Sequence, residues 1–312
     1  MQEEYIFERL NAERLKDMQY LYKACFNESV SMDFLRKKYE TKNFGAEYTG
    51  YIAYSAAGAP AAYYGVFPCR VMAEGKSVLA AQSGDTMTHP DHRGKGLFIK
   101  LAVKTYELCR SLGIGFVFGF PNENSYPGFV KKLAWIHRED LQIYKLKVTT
   151  LPMAYICGRL PILKGMYKWY SDFILSGRQS KKKFFANSFA EAGYYGVERS
   201  ADFFEYKSGE GRFMIEVLGK NVHLKVSSAL RIGDIESCSP EEFVQILKKL
   251  KTLARLLGCY GVIFYYSPNA LFEPLLTGVS EKQKGLPVGW VDLGSGLDLD
   301  KLKFAQMDLD TY

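Results

Sequence analysis

Three strand-like runs follow one another at residues 50–55, 61–72 and 77–88, parted only by the turns Ala57-Gly58-Ala59-Pro60 and Glu74-Gly75-Lys76. Consecutive strands joined by turns this short pair with one another, so this stretch is expected to form an antiparallel meander. The third strand does not end in another turn. It runs into His89-Pro90-Asp91-His92-Arg93-Gly94-Lys95-Gly96 and then into a helical pattern over 97–112, with Leu97, Leu101, Leu108 and Leu112 on one stripe. A wholly apolar run at 114–120 follows, the kind buried inside a sheet. A chain with this order must place a basic, glycine-containing loop at the junction of a strand and a helix.

That junction has a chemical consequence. The first N–H groups of a helix lack intrahelical partners, and the helix dipole puts partial positive charge beside them. Gly94 and Gly96 keep side chains out of the way, and Arg93 and Lys95 add charge. The combination is a phosphate cradle of the helix-N-terminus type. On the loop alone, a basic surface turn remains the alternative. The segment is not a P-loop, because GxxxxGK[ST] is absent, and not the dinucleotide GxGxxG of a βαβ unit.

The rest of the first half fits around this core. Residues 5–10 read as a strand, Asn11 as a cap before a helix through Leu15, Met18, Leu21, Tyr22 and Cys25, and Ser31 as the cap of a helix ending near Tyr39. Asn122-Glu123-Asn124-Ser125 can cap a helix that includes 129–133, and 135–148 reads as a long strand. In the second half, strands are expected at 203–207, 212–218, 222–232 and 260–266, with a helix over 240–257 capped by Ser239. The two halves echo each other: CRSLGIGFVFGF (109–120) parallels ARLLGCYGVIFYY (254–266), and Gly84-Asp85 parallels Gly233-Asp234. The second copy reads IESCSPEE where the first has its glycine loop. The expected organisation is a first domain at 1–148, a connector at 149–190 and a second domain at 191–312.

Charge is uneven. The net charge is +7, and residues 151–185 alone hold seven cations (Arg159, Lys164, Lys168, Arg178, Lys181, Lys182 and Lys183) against one acid, Asp172. A local excess of this kind points to one anionic partner surface, and no nucleic acid is expected as a general partner. A solvated linker is the plainer alternative. The six cysteines are widely spaced with no CxxC, so neither a metal site nor a disulfide framework is indicated. The acidic MQEEYIFERLNAE start has no apolar core of a signal peptide, and no apolar run reaches membrane-spanning length. A cytoplasmic location is the resulting expectation, with the oligomeric state open.

The motifs together resemble the GCN5-related N-acetyltransferase (GNAT) superfamily. Met87 through Leu97 resembles the family's coenzyme A loop, Phe116-Val117-Phe118 to Asn122 its fifth strand, and Phe129-Val130-Lys131-Lys132-Leu133-Ala134-Trp135 the helix end after it. The resemblance covers residues 5 to about 147. It implies an α+β fold, a central, mostly antiparallel sheet flanked by helices, followed by a smaller GNAT-like unit without a cofactor loop. It implies acetyl-CoA as acyl donor, with pyrophosphate on the amides of Arg93, Gly94, Lys95, Gly96 and Leu97. The pantetheine arm would lie along Met87 and Thr88, with Asn122 touching it. A small-molecule amine, such as an amino sugar, would attack the thioester directly.

Two side chains are candidate catalysts. Many members of the family carry a tyrosine at the position matching Val130, and here Tyr126 is the nearest phenol that could protonate the leaving thiolate. Asp85 is an acid in an apolar, glycine-flanked setting and a candidate base, or else a structural acid tied to a neighbouring element. His89 and His92 read as further donors to phosphate, and His137 and His223 as structural. Two other functions remain open: a tandem-GNAT aminoacyl- or peptidyl-transferase that takes charged tRNA, and a non-catalytic coenzyme A-binding protein.

Overall fold

The computed structural model describes residues 4–209 and 211–312. The chain packs as two compact units. Among the described residues, the first comprises 4–71, 76–138 and 288–299, and the second 72–75, 139–209, 211–287 and 300–312.

The first unit contains β1 (Tyr5–Arg9), α1 (Leu15–Phe26), α2 (Met32–Tyr39), β2 (Gly50–Ser55), β3 (Pro60–Ala73), β4 (Lys76–Thr88), α3 (Leu97–Ser111), β5 (Phe116–Gly119) and α4 (Tyr126–Lys132). Its strands lie in the order β1-β2-β3-β4-β5, and β1–β2 and β2–β3 pair antiparallel. Period-two alternation gives the sheet two apolar faces. Ile52, Tyr63, Phe67 and Met87 meet Leu15, Met18, Leu21, Leu35 and Tyr39 of the first two helices on one face. Ala53, Tyr64, Val66 and Ala81 meet Leu97, Leu101 and Phe129 of α3 and α4 on the other. The predicted Ser31 cap is present, its hydroxyl accepting from the Phe34 amide at 3.1 Å. Asn11 is not the cap of α1: the helix starts later, with Arg14 at the cap position and no side-chain cap, and Asn11 accepts from the Arg14 amide at 3.0 Å in the preceding turn.

The second unit carries most of β6 (Ile136–Lys147), then α5 (Met153–Arg159), α6 (Pro161–Ser176), α7 (Ser188–Glu191), β7 (Gly196–Val197), α8 (Ala201–Tyr206), β8 (Arg212–Val217), β9 (Lys220–Val226), β10 (Leu230–Ile235), α9 (Pro240–Leu256), β11 (Gly261–Tyr266) and α10 (Glu273–Thr277). Its strands run in the order β6-β11-β10-β9-β8, over a core to which α9 contributes Phe243, Ile246, Leu250 and Leu253. A fully buried Arg199 pairs with Asp234 at 3.0 Å and Asp308 at 2.6 Å. Removing either carboxylate would leave an uncompensated buried charge, at a cost of about 3–5 kcal/mol.

The echo between the halves is structural. β4 and β5 are parallel neighbours bridged by α3, with Ala81 opposite Val117. β10 and β11 are parallel neighbours bridged by α9, with Leu230 opposite Val262.

Several elements differ from expectation. Residues 201–206 are helix rather than strand: Ser200 accepts from the Phe203 amide at 3.2 Å and starts a turn that buries both Phe203 and Phe204. An aromatic pair fits a strand or a short capped helix equally well, and the cap decided. The expected strand at 222–232 is two strands, broken at 227–229. The basic segment forms helices α5 and α6. A last strand, β12 (Glu281–Asp292), went unforeseen because its Gly, Pro and Lys content hides any alternation, and its end pairs antiparallel with β5, Trp290 opposite Phe118.

Candidate active site

The site is built where two strands part. β4 pairs with β5 only at Ala81–Val117 and Gln82–Phe118, and β4 then continues to Thr88. Beyond Gln82 the facing edges are open to an extended ligand that can hydrogen-bond as an added strand. Gln82 is buried at this fork, and its Nε2 has no hydrogen-bond partner. A buried amide donor without an acceptor calls for one.

A bulge at the fork changes which face β4 presents. Leu79 and Ala81 pack toward α3, whereas Met87 packs toward α1 and α2, although all three are odd-numbered. The switch coincides with Asp85, whose φ is +43°. Asp tolerates this left-handed conformation better than most side chains, and strained positions of this kind gather at functional sites. Met87 is 1% exposed, so only its backbone is available to a ligand.

The loop after β4 has the geometry of a cradle. His89, Pro90 and His92 make a tight turn, and the Arg93 guanidinium donates to the Thr88 carbonyl at 3.4 Å. Gly94 and Gly96 have φ of +76° and +73°, and a Cβ on either would meet nothing within 4 Å. The space beside them is open, and the backbone demands glycine. Gly96 caps α3 without a side-chain hydrogen bond, and no acid stands in the first turn. Leu97 is buried and anchors the helix start from below. The corresponding start of α9 is closed: Ser239 and Glu242 form a reciprocal capping box, and Glu241 and Glu242 add negative charge. An anion is attracted to the first helix start and repelled from the second.

The loop histidines fasten the cradle to its surroundings. His92 Nδ1 lies 2.8 Å from the Tyr5 hydroxyl, and His89 stacks on Tyr20 with ring centroids 5.7 Å apart.

Asp85 sits in a dense polar cluster. Lys38 donates to its Oδ1 at 2.7 Å, Tyr22 donates to Oδ2 at 2.6 Å, and Tyr39 donates to the same oxygen. Burial and then the charge of Asp85 push both phenols well above the ordinary tyrosine range, so they stay neutral donors. Both carboxylate oxygens are therefore engaged. The expected alternative, an acid tied to a neighbouring element, is what the geometry resembles as it stands, with Oδ1 accepting from Lys38 and Oδ2 from the two phenols.

Tyr126 opens α4 as its first residue, with Pro127 behind it, a position where proline costs the helix nothing. The rule that the residue before proline avoids helix is overridden at this end. The Tyr126 hydroxyl lies 2.7 Å from His137 Nδ1, and the rings meet edge to face at 5.2 Å. Asn122 Oδ1 accepts from the amides of Asn124 and Ser125 at 3.0 and 3.1 Å, fixing the turn that starts α4. Its amide nitrogen is the part available to a ligand. Lys38, Tyr39, Gln82 and the pairing of His137 were not foreseen: they come from α2, β4 and β6, and no local pattern announces them. Among the described residues no group of three or more His, Cys, Asp or Glu is placed to hold a metal.

Residues 7–137 match the family model described as an acetyltransferase (GNAT) domain. That match spans less than half of the chain and falls almost wholly within the first unit, which is thus similar to an acetyltransferase (GNAT) domain. The fold extends further. A GCN5-related N-acetyltransferase from Kribbella flavida superposes on 94% of this chain and 72% of its own, with a TM-score of 0.59 at 12% identity. A conserved protein of Enterococcus faecalis V583, described as a probable N-acyltransferase, covers 96% of this chain and 75% of its own (TM-score 0.62, 15% identity). A GCN5-related N-acetyltransferase from Anabaena variabilis covers 93% and 73% (TM-score 0.56, 10% identity). Likeness at such identities shows the fold alone. No functionally curated protein matches the chain.

Proposed function

We propose that the protein is an acetyl-CoA-dependent N-acetyltransferase that acts on a small-molecule amine. The observation that carries this reading is the open, uncapped helix start at Gly96, set directly behind the fork of β4 and β5. The chain's residues fit the donor: the amides of 93–97 would hold pyrophosphate, the edge of β4 at Met87 and Thr88 the pantetheine arm, and the Asn122 amide would touch that arm. When bound, the thioester supplies an activated acetyl group. The acceptor nitrogen bonds to the carbonyl carbon as the carbon–sulfur bond breaks, and the thiolate takes its proton from Tyr126. A backbone N–H at Met87 or Thr88 would steady the developing oxyanion. His137 holds the Tyr126 hydroxyl in place and can pass a proton to it. Asp85 is assigned the acceptor side: it orients Tyr22, Lys38 and Tyr39, and it is the carboxylate closest in sequence to the fork that could receive the ammonium proton.

A tRNA-dependent transferase needs no pyrophosphate cradle, so the intact Arg93-Gly94-Lys95-Gly96 loop weighs against it. A non-catalytic coenzyme A binder would leave the Tyr126–His137 pair without a purpose. Release of free thiol from acetyl-CoA, measured over a panel of amines including amino sugars, tests the proposal. Binding of acetyl-CoA without thiol release for any amine would favour the non-catalytic reading, and no binding at all would overturn both.

A further inference from the structure

Helix α6 presents an apolar face to solvent. Ile162, Met166, Trp169 and Phe173 are spaced 4, 3 and 4 apart, so they form one stripe along the helix. They are 93%, 65%, 69% and 65% exposed, and the Trp169 and Phe173 rings stack at 5.9 Å. Tyr155, Ile156 and Leu160 of the preceding helix and turn are exposed as well. The stripe is not a core face that has lost its partner by rolling. The opposite side of α6 is fixed, with Leu175 and Ser171 buried, Tyr167 donating to the Leu257 carbonyl at 2.7 Å and Tyr170 to the Leu256 carbonyl at 2.6 Å.

Charge selects the occupant. The seven cations of 151–185 are all exposed, and among the described residues only Lys168 and Lys182 of the seven meet a carboxylate, Asp172 and Glu236. A second copy docked on the same face would bring this positive field against itself. An anionic lipid surface meets both features at once: the aromatic and aliphatic stripe enters the headgroup–acyl boundary while the lysines and arginines meet lipid phosphates. Among the described residues no helix is long and apolar enough to cross a membrane, so the mode is lying on the surface.

We propose that the α5–α6 face of the second unit docks the protein on an anionic membrane surface, with Ile162, Met166, Trp169 and Phe173 inserted and Arg159, Lys181 and Lys183 over the headgroups. The proposal is independent of the acetyl-transfer reading.

The protein supplies its own reporter. Of its three tryptophans, Trp135 and Trp290 are buried, and Trp169 alone is exposed. The full chain is mixed with vesicles of equal phosphatidylglycerol and phosphatidylcholine, and separately with phosphatidylcholine alone, at low salt. The expected result is co-sedimentation with the anionic vesicles and a blue shift of Trp169 emission, both reversed by high salt. Ile162→Ser/Phe173→Ser and Lys181→Glu/Lys183→Glu change only exposed side chains, and each is expected to weaken binding about tenfold or more with an unchanged far-UV spectrum. Three results would overturn the proposal: no binding to either vesicle, equal binding to both with the charge variant unaffected, or lipid-free Trp169 emission that is already blue and reddens on dilution, which assigns the stripe to a second copy.

Discussion

Replacing Asp85 by Asn isolates one charge at the centre of the candidate site. Asn accepts the left-handed backbone that Asp85 adopts, so the substitution adds no conformational strain, whereas Asp85→Ala would. The charge it removes is the partner of Lys38 at 2.7 Å, and the two side chains are only 10% and 16% exposed, so solvent screening is weak. The ammonium is left nearly buried beside Tyr22 and Tyr39, and an amide oxygen that accepts from both hydroxyls turns the amide nitrogen, itself a donor, toward Lys38. Breaking one side of a buried pair costs about 3–5 kcal/mol, and the residual exposure brings the expectation to about 3 kcal/mol. For a unit of this size that is a fall in Tm of about 6–12 °C. Pairing Asp85→Asn with Lys38→Met removes the orphaned charge, and a coupling of about 2 kcal/mol should return in the double-mutant cycle. Calorimetry or urea unfolding of the four proteins measures it. A Tm within 2 °C of wild type, with additive double-mutant effects, would refute the reading of Asp85 as the anchor of the cluster. The same protein decides its chemistry: if Asp85 also takes the amine proton, turnover per folded molecule falls about a hundredfold with acetyl-CoA affinity nearly unchanged.

The remaining expectations concern the cradle, the phenol and the second unit. Gly96→Glu, which places a carboxylate at an open position of positive φ, should abolish acetyl-CoA binding by calorimetry, and wild type should bind one equivalent per chain; two equivalent sites would contradict the closed start of α9. Tyr126→Phe should lower turnover about a hundredfold at constant acetyl-CoA affinity, and His137→Gln should lower it less. In the second unit, burial and nearby cations hold His223 down to about 3, so it contributes stability above its unfolded value of about 6.5 that is lost as pH falls toward 3. Burial raises Asp234 to about 6, which acts in the opposite sense, its contribution being present at low pH and lost as pH rises through 6. His223→Gln should therefore gain about 2 kcal/mol relative to wild type between pH 7 and pH 5, read from denaturant midpoints, and parallel pH curves would exclude His223 as the source.

What the sequence determined by itself is what short-range physics writes into adjacent residues. The meander of β2, β3 and β4 follows from alternation and tight turns, the helix from Leu97 from its stripe, and the cradle from two glycines that only a left-handed backbone and an open face require. The repeat was legible for the same reason, since helix end, glycine and apolar strand are contiguous in each copy. Tertiary structure alone decided the rest. Residues 201–206 became helix because a serine cap and a buried aromatic pair outweighed strand propensity. β12 is a strand because β5 offers it an edge, not because its own residues alternate. Tyr22, Lys38 and Tyr39 converge on Asp85 from two helices, and His137 reaches Tyr126 from a different strand. The sequence records which side chains exist. Which of them share a hydrogen bond depends on sheet order and on a bulge that turns Asp85 toward α1 and α2, and both are properties of the packed chain.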